Sequence, residues 1–224
     1  MLKSCYLLWV VSLSAAFNID VSALSNRQTT PPDELANRVL PALAFEQSTW
    51  ATGSVSEDKF YEVAPEWAEA EFGTVFRVED MDPTIYTIPP TTSISRMLYQ
   101  SKSFLGNKTP ASGYILFPYT PRKVRDGEVP VVLWSHGTSG LHPESGPSHL
   151  RDLWQNAQGP TPLVQQGYVV VAPDYAGLGV SKNGAGKNIT HEYLTGPAQA
   201  NDMEYALKAA SSAFPFLGLS LIHI

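Results

Sequence analysis

Two short apolar runs do most to limit what this chain can fold into. Val131-Val132-Leu133-Trp134 is continuous and closes on His136-Gly137, and Tyr168-Val169-Val170-Val171-Ala172 is continuous and closes on Pro173-Asp174 and the glycines at 177 and 179. A strand with one wet face alternates apolar and polar residues. A continuous run marks a strand covered on both faces, as in parallel sheets packed between helices. Between the runs, His149–Gln166 has helical spacing, with Leu150, Leu153, Trp154 and Ala157 on one face, a kink at Gly159-Pro160 and a stop at Gly167. After the second run, Pro197 opens a helix to about Ser212, with Met203, Leu207 and Ala210 along one stripe. Strand, helix, strand, helix predicts an α/β fold on a parallel sheet.

Upstream the pattern differs. Residues 73–80, 95–101 and 112–117 read as half-buried strands, with Asn107-Lys108-Thr109-Pro110 as the turn between the last two. They predict an antiparallel opening to the sheet. Asp33-Glu34-Leu35 opens a short helical pattern that Pro41 interrupts, and the polar stretch before it, 24–32, predicts a disordered start to the mature chain.

The first residues carry a targeting pattern. Lys3 precedes the apolar stretch Tyr6–Leu13, and Val21-Ser22-Ala23 puts small residues where a signal peptidase cuts. The run is shorter than the ~20 residues of a membrane span, so residues 1–23 are read as a signal peptide and the mature chain as secreted, without a transmembrane span. Cys5 is the only cysteine, so the mature chain has no disulfide. Asn107-Lys108-Thr109 and Asn188-Ile189-Thr190 are glycosylation sequons that agree with secretion. The net charge of −6 gives no reason to expect nucleic acid or an anionic membrane as partner. His136, His142 and His149 lack the thiolate or carboxylate spacing of a metal site, and no cofactor motif is present.

Ester hydrolysis by a side-chain nucleophile needs an activated hydroxyl, an oriented base and donors aimed at the developing oxyanion. The stretch from Pro130 to Gly140 suits the last role. It is a buried strand followed by His136-Gly137-Thr138, where Gly137 permits a tight turn and the Thr138 N–H is the candidate donor. An ordinary turn containing His-Gly would read the same way. The paired blocks VVLWSHGTSG and GYVVVAPDYAGLG, with SRMLYQSK and SGYILFP before them and HEYLTGPAQANDMEYALKAA after, resemble the α/β-hydrolases, and most of all their secretory lipase group. The likeness runs from about Gly73 to Pro215.

That resemblance implies the α/β-hydrolase fold, N-terminal part only, with antiparallel opening strands and then parallel β-α-β-α. It implies a secreted carboxylic-ester hydrolase, esterase or lipase, acting on small-molecule or lipid esters through a serine triad. It puts the nucleophile in G-x-S-x-G, one strand beyond the Pro197 helix. Ser139, Ser148 and Ser181 each begin such a motif, and each lacks the closing glycine. Acid and base follow the serine in this fold, so nucleophile, acid and base all fall outside the chain. Asp174 and His191 come too early for those roles, and we read Asp174 as shaping its loop with His191 packed nearby. The closing LSLIHI is similar to a translated sequencing adaptor, so the expectation is a truncated, inactive fragment with a non-native end in 218–224. The division expected is a signal peptide (1–23), an N-terminal extension (24–72) and a partial hydrolase domain (73–224). A non-catalytic secreted binding protein with this fold, or an α/β-hydrolase peptidase, stays open as an alternative.

Overall fold

A computed structural model describes residues 33–123 and 129–218. The expectations for residues 1–23 and for the polar stretch 24–32 lie outside them, as do 219–224. Six strands form one sheet: β1 (Val75–Met81), β2 (Thr92–Lys102), β3 (Lys108–Pro118), β4 (Val129–Leu133), β5 (Val169–Pro173) and β6 (Leu217–Gly218). Their order across the sheet is β1-β2-β3-β5-β4-β6. The pairs β1–β2, β2–β3 and β3–β5 are antiparallel, whereas β4 runs parallel to both β5 and β6. The helices are α1 (Asp33–Ser48), α2 (Pro160–Gln165) and α3 (Gly196–Ala213). This is the antiparallel opening followed by a parallel β-α-β-α unit.

The continuous runs are explained by two cores, one on each face. Val169 and Val171 of β5 point to one side, where Met97, Tyr99, Ile115 and Val131 meet Ala206, Leu207, Ala209 and Ala210 of α3. Val170 and Ala172 point to the other, against Tyr114, Leu116, Leu153 and Val164. Successive strand residues alternate faces, so a strand with helix or loop cover on both sides must be apolar at every position. The alanine face of α3 lets the helix lie close to the sheet.

The segment before β1 is packed onto the sheet as well. Phe60 and Tyr61 are buried with Leu98 and Val180. Arg96 of β2 lies only 2% exposed with its guanidinium 2.7 Å from Asp58 and 2.6 Å from Glu79, 4.1 Å above the ring of Phe60.

Three local expectations are corrected. The helix expected over His149–Gln166 is confined to α2. Before it, Leu153, Trp154 and Gln155 all take left-handed backbone conformations, and the Asp152 carboxylate accepts the Trp154 N–H. The apolar spacing that suggested a helix comes from a loop folded against the core, with Leu153 fully buried. The turn expected at 107–110 instead spans Ser103–Asn107, where Gly106 has φ +83°, and Pro110 lies inside β3 opposite Gln100. Pro41 does not interrupt α1, which runs through it.

Candidate active site

The loops that follow β4 and β5 leave the same edge of the sheet, because the two strands are parallel neighbours in register Val131↔Val169 to Leu133↔Val171. Trp134 extends that pairing by donating its N–H to the Val171 carbonyl (2.9 Å). Beyond it the chain turns away through Ser135, His136, Gly137 and Thr138.

His136 is clamped beneath this turn. Its Nδ1 lies 2.6 Å from the Gly137 carbonyl and its Nε2 3.2 Å from the Asp174 carbonyl, and its ring stacks on Tyr175 at 4.3 Å. Burial pushes the His136 pKa below its ordinary value, so the neutral ring has one N–H for two carbonyls. The Tyr175 hydroxyl donates to the His136 carbonyl (3.2 Å) and lies 2.7 Å from Ser135 Oγ. The β5 loop thus holds the β4 loop from below. Gly137 and Thr138 are exposed on top, and a side-chain carbon at position 137 would meet open space. Among the described residues no hydrogen bond is made by the Thr138 N–H. Its hydroxyl pairs with that of Tyr193 (3.1 Å), on the loop leading into α3.

The β5 loop is fixed by two buried carboxylates. Asp174 is fully buried and accepts the Ser112 hydroxyl (2.6 Å), the Ser148 hydroxyl (2.6 Å) and the Ser148 N–H (2.7 Å). Burial raises its pKa in spite of these donors. Asp202 of α3 accepts the Ala176 N–H (2.9 Å) and the Ser101 hydroxyl, and burial pushes its pKa up to about 7. Between them, Gly177 and Gly179 have φ +88° and +68°. A side-chain carbon at 177 would meet the His191 backbone nitrogen at 2.5 Å, which only glycine avoids. The expected reading of Asp174 as a loop-shaping residue therefore describes its geometry, whereas His191 packs against the next turn of that loop, with Nδ1 3.0 Å from the Ala176 carbonyl.

Ser148 is fully buried against Asp174 and the Tyr61 hydroxyl (2.9 Å), so no substrate reaches it. Ser139 Oγ is buried without a partner, and Ser181 follows Val180 in the β5 loop. Among the described residues, no serine or threonine hydroxyl is hydrogen bonded to a histidine. His142 Nε2 faces Glu46 (3.5 Å) and His149 Nε2 faces Glu144 (2.9 Å). Burial opposes ionisation of Glu144, but contacts from His149, Ser54 and the Val55 N–H hold its pKa below the usual value. Among the described residues no group of three or more His, Cys, Asp or Glu side chains could hold a metal ion, and no helix is long and apolar enough to cross a membrane. Asn107 and Asn188, the two sequon asparagines, are both exposed. Sequence reasoning missed the roles of Tyr175, Tyr193 and Ser112, and it named Ser148 only as the start of an incomplete G-x-S motif, not as a partner of Asp174. Their contacts are long-range, so no local spacing marks these roles: Ser112 and Ser148 meet Asp174 from other stretches of chain, and Tyr193 meets Thr138 from 55 residues on.

A cavity of about 490 Å³ opens at the other end of the strands, lined by Phe117, Val129, Val169, Phe214 and Phe216 among others. It is remote from the Thr138 loop.

No protein-family model and no curated protein sequence matches the chain. Among solved structures, Candida antarctica lipase A in its closed state superposes with a TM-score of 0.54 at 15% identity, covering 75% of this chain and 38% of that one. The esterase LipA from Xanthomonas oryzae gives a TM-score of 0.47 at 25% identity, over 65% of this chain and 39% of that one. A putative hydrolase from Legionella pneumophila gives 0.41 at 20% identity, over 64% and 41%. The chain therefore spans about two-fifths of the length of the proteins it resembles, and what the likeness to lipase A shows is the fold.

Proposed function

We propose, taking as premise that this chain carries the α/β-hydrolase fold, that it is the oxyanion-loop part of a secreted carboxylic-ester hydrolase. The observation that carries the reading is Thr138, exposed on the loop after β4 with an N–H that makes no hydrogen bond among the described residues, while β6 begins in parallel beside β4 with Val129↔Leu217 and Pro130↔Gly218 as partners. A strand continuing from β6 in that register comes level with Ser135 about six residues on. That is where a nucleophile would have to stand to share a substrate with Thr138. The name of the structure with the higher TM-score, a lipase, supports esters as the substrate class.

In this reading a serine that follows β6 in the longer protein attacks the ester carbonyl carbon, and its proton passes to a histidine that also follows. The carbonyl π pair moves onto oxygen. That oxyanion is held by the Thr138 N–H and by the N–H after the nucleophile, with His136 and Gly137 shaping the turn. Collapse expels the alcohol, which takes the proton from the histidine, and water then cleaves the acyl-enzyme by the same route. Oxyanion donors without the triad leave only residual catalysis, so in this reading full activity needs the residues that follow β6 in the longer protein.

The test has two parts. Genomic sequence past Pro215 should run into an apolar strand and G-x-S-x-G, and the protein it encodes should hydrolyse p-nitrophenyl esters. In that protein Thr138→Pro, which removes the donor, should lower kcat by about 10²–10³ while Thr138→Ser retains activity. A genomic frame that ends at Ile224, or full activity in Thr138→Pro, overturns the reading.

A further inference from the structure

The peptide that joins Gly137 to Thr138 carries the candidate donor, and its own backbone does not fix which way it faces. Glycine accepts either orientation of such a unit, since it populates backbone conformations closed to other residues. Among the described residues the unit makes one hydrogen bond, accepted by its carbonyl from His136 Nδ1 (2.6 Å). A trans peptide is planar, and its C=O and N–H point opposite ways. With the carbonyl turned down onto the buried His136 ring, the Thr138 N–H must point away from that ring. Turned over, the unit would aim a carbonyl oxygen where the N–H now points, and an oxyanion there would be repelled.

We propose that His136 is a positioning residue, which holds the Gly137–Thr138 peptide in its donor orientation through one tautomer, with the proton on Nδ1. Both ring nitrogens face carbonyls, Nδ1 that of Gly137 at 2.6 Å and Nε2 that of Asp174 at 3.2 Å. Burial disfavours the charged ring, so a single N–H serves the two. A nitrogen lone pair is repelled by a carbonyl oxygen more strongly the closer they stand, which puts the proton on Nδ1. The ring has no room to swing to another partner. It stacks on Tyr175 at 4.3 Å, and the Tyr175 hydroxyl ties the His136 carbonyl (3.2 Å) to Ser135 Oγ (2.7 Å). Tyr175 itself stands at φ +67°, a conformation that an aromatic residue keeps only when its surroundings impose it. A strained residue thus backs the imidazole that aims the peptide. The proposal rests on the ester-hydrolase reading in one respect, that the N–H so aimed meets an oxyanion.

The test has a spectroscopic and a kinetic arm. In the 224-residue chain with ¹⁵N-labelled histidine, NMR at pH 8 should show the His136 ring, assigned by its loss in His136→Asn, with the proton on Nδ1. In the longer protein, His136→Ala should lower kcat for p-nitrophenyl esters about 10–10²-fold with KM nearly unchanged, because a misaimed donor is missed only in the transition state. His136→Asn should recover most of that loss, since its amide nitrogen hangs on Cγ as Nδ1 does. His136→Gln is nearer to histidine in volume but carries its amide at the Nε2 position, and it should not recover the loss. A packing role alone predicts the reverse order, and matched thermal melts check that each variant folds. An Nδ1 without a proton, or a kcat for His136→Gln equal to that of His136→Asn, overturns the proposal. If the longer protein hydrolyses no ester while Nδ1 carries the proton, the ester-hydrolase reading falls and the hold on the peptide stands, so the two failures are distinct.

Discussion

At the scale of single residues, the buried carboxylates under the β5 loop make opposite demands on substitution. Asp174 serves three donors, two of them hydroxyls that can reverse direction. An asparagine offers an oxygen to the Ser148 N–H and an NH₂ to a hydroxyl, so Asp174→Asn should cost less than about 1 kcal/mol. Asp174→Ala strands Ser112 and Ser148 and should cost roughly 2–4 kcal/mol by denaturant titration. Asp202 gives a pH signature. Its folded pKa of about 7 exceeds the ordinary 3.8, so between those values the folded chain keeps a proton that the unfolded chain has lost. Its contribution is fully present below about pH 4 and is lost as pH rises through 7, with an upper bound of about 4 kcal/mol. Asp202→Asn should match wild type at pH 4 and exceed it in Tm at pH 8; a difference that does not change with pH would sink the argument. Pro173-Asp174 was legible as a loop anchor because a carboxylate follows a buried strand. Its partners were not, since Ser112 lies 62 residues away and is brought back only by the β3–β5 pairing.

At the scale of elements, what could be read depended on whether the apolar pattern came from regular structure. β5 and α3 were legible because two faces and one face, respectively, are buried along their length. The stretch 149–158 imitates a helix because Leu150 and Leu153 reach the core from a loop with three consecutive left-handed residues. That geometry carries its own prediction. Gln155 is exposed at φ +61° with no side-chain cap bond, and glycine removes the left-handed cost at that position. Gln155→Gly should raise stability by about 0.5–1 kcal/mol, read as a higher Tm, whereas the same change in a true helix would lower it by a similar amount. The hairpin was misplaced for a related reason. Pro110 looked like a turn residue, but its ring is tolerated at a strand position whose N–H is not needed, and Gly106 makes the turn instead.

At the scale of the whole molecule, the order β1-β2-β3-β5-β4-β6 could not be read from local patterns, yet it decides which strand lacks a neighbour among the described residues. β6 pairs with β4 only at Val129 and Pro130, so Val131–Leu133 face no strand on that side among the described residues. Below that edge lies the 490 Å³ cavity, and Phe216 beside it is 59% exposed. An apolar strand with free backbone groups is a template for another chain. The 224-residue chain should therefore associate as its concentration rises in sedimentation velocity and should bind 8-anilinonaphthalene-1-sulfonate. A longer protein in which β6 continues beside β4 should show neither, and should melt roughly 5–10 °C higher, as expected for a few kcal/mol in a domain of this size. In the ester-hydrolase reading, the place that continued strand must fill is also the place from which the nucleophile would reach a substrate beside Thr138. If the 224-residue chain stays monomeric and melts as high as the longer one, the β4 edge is already covered, and the ester-hydrolase reading loses the position it needs for its serine.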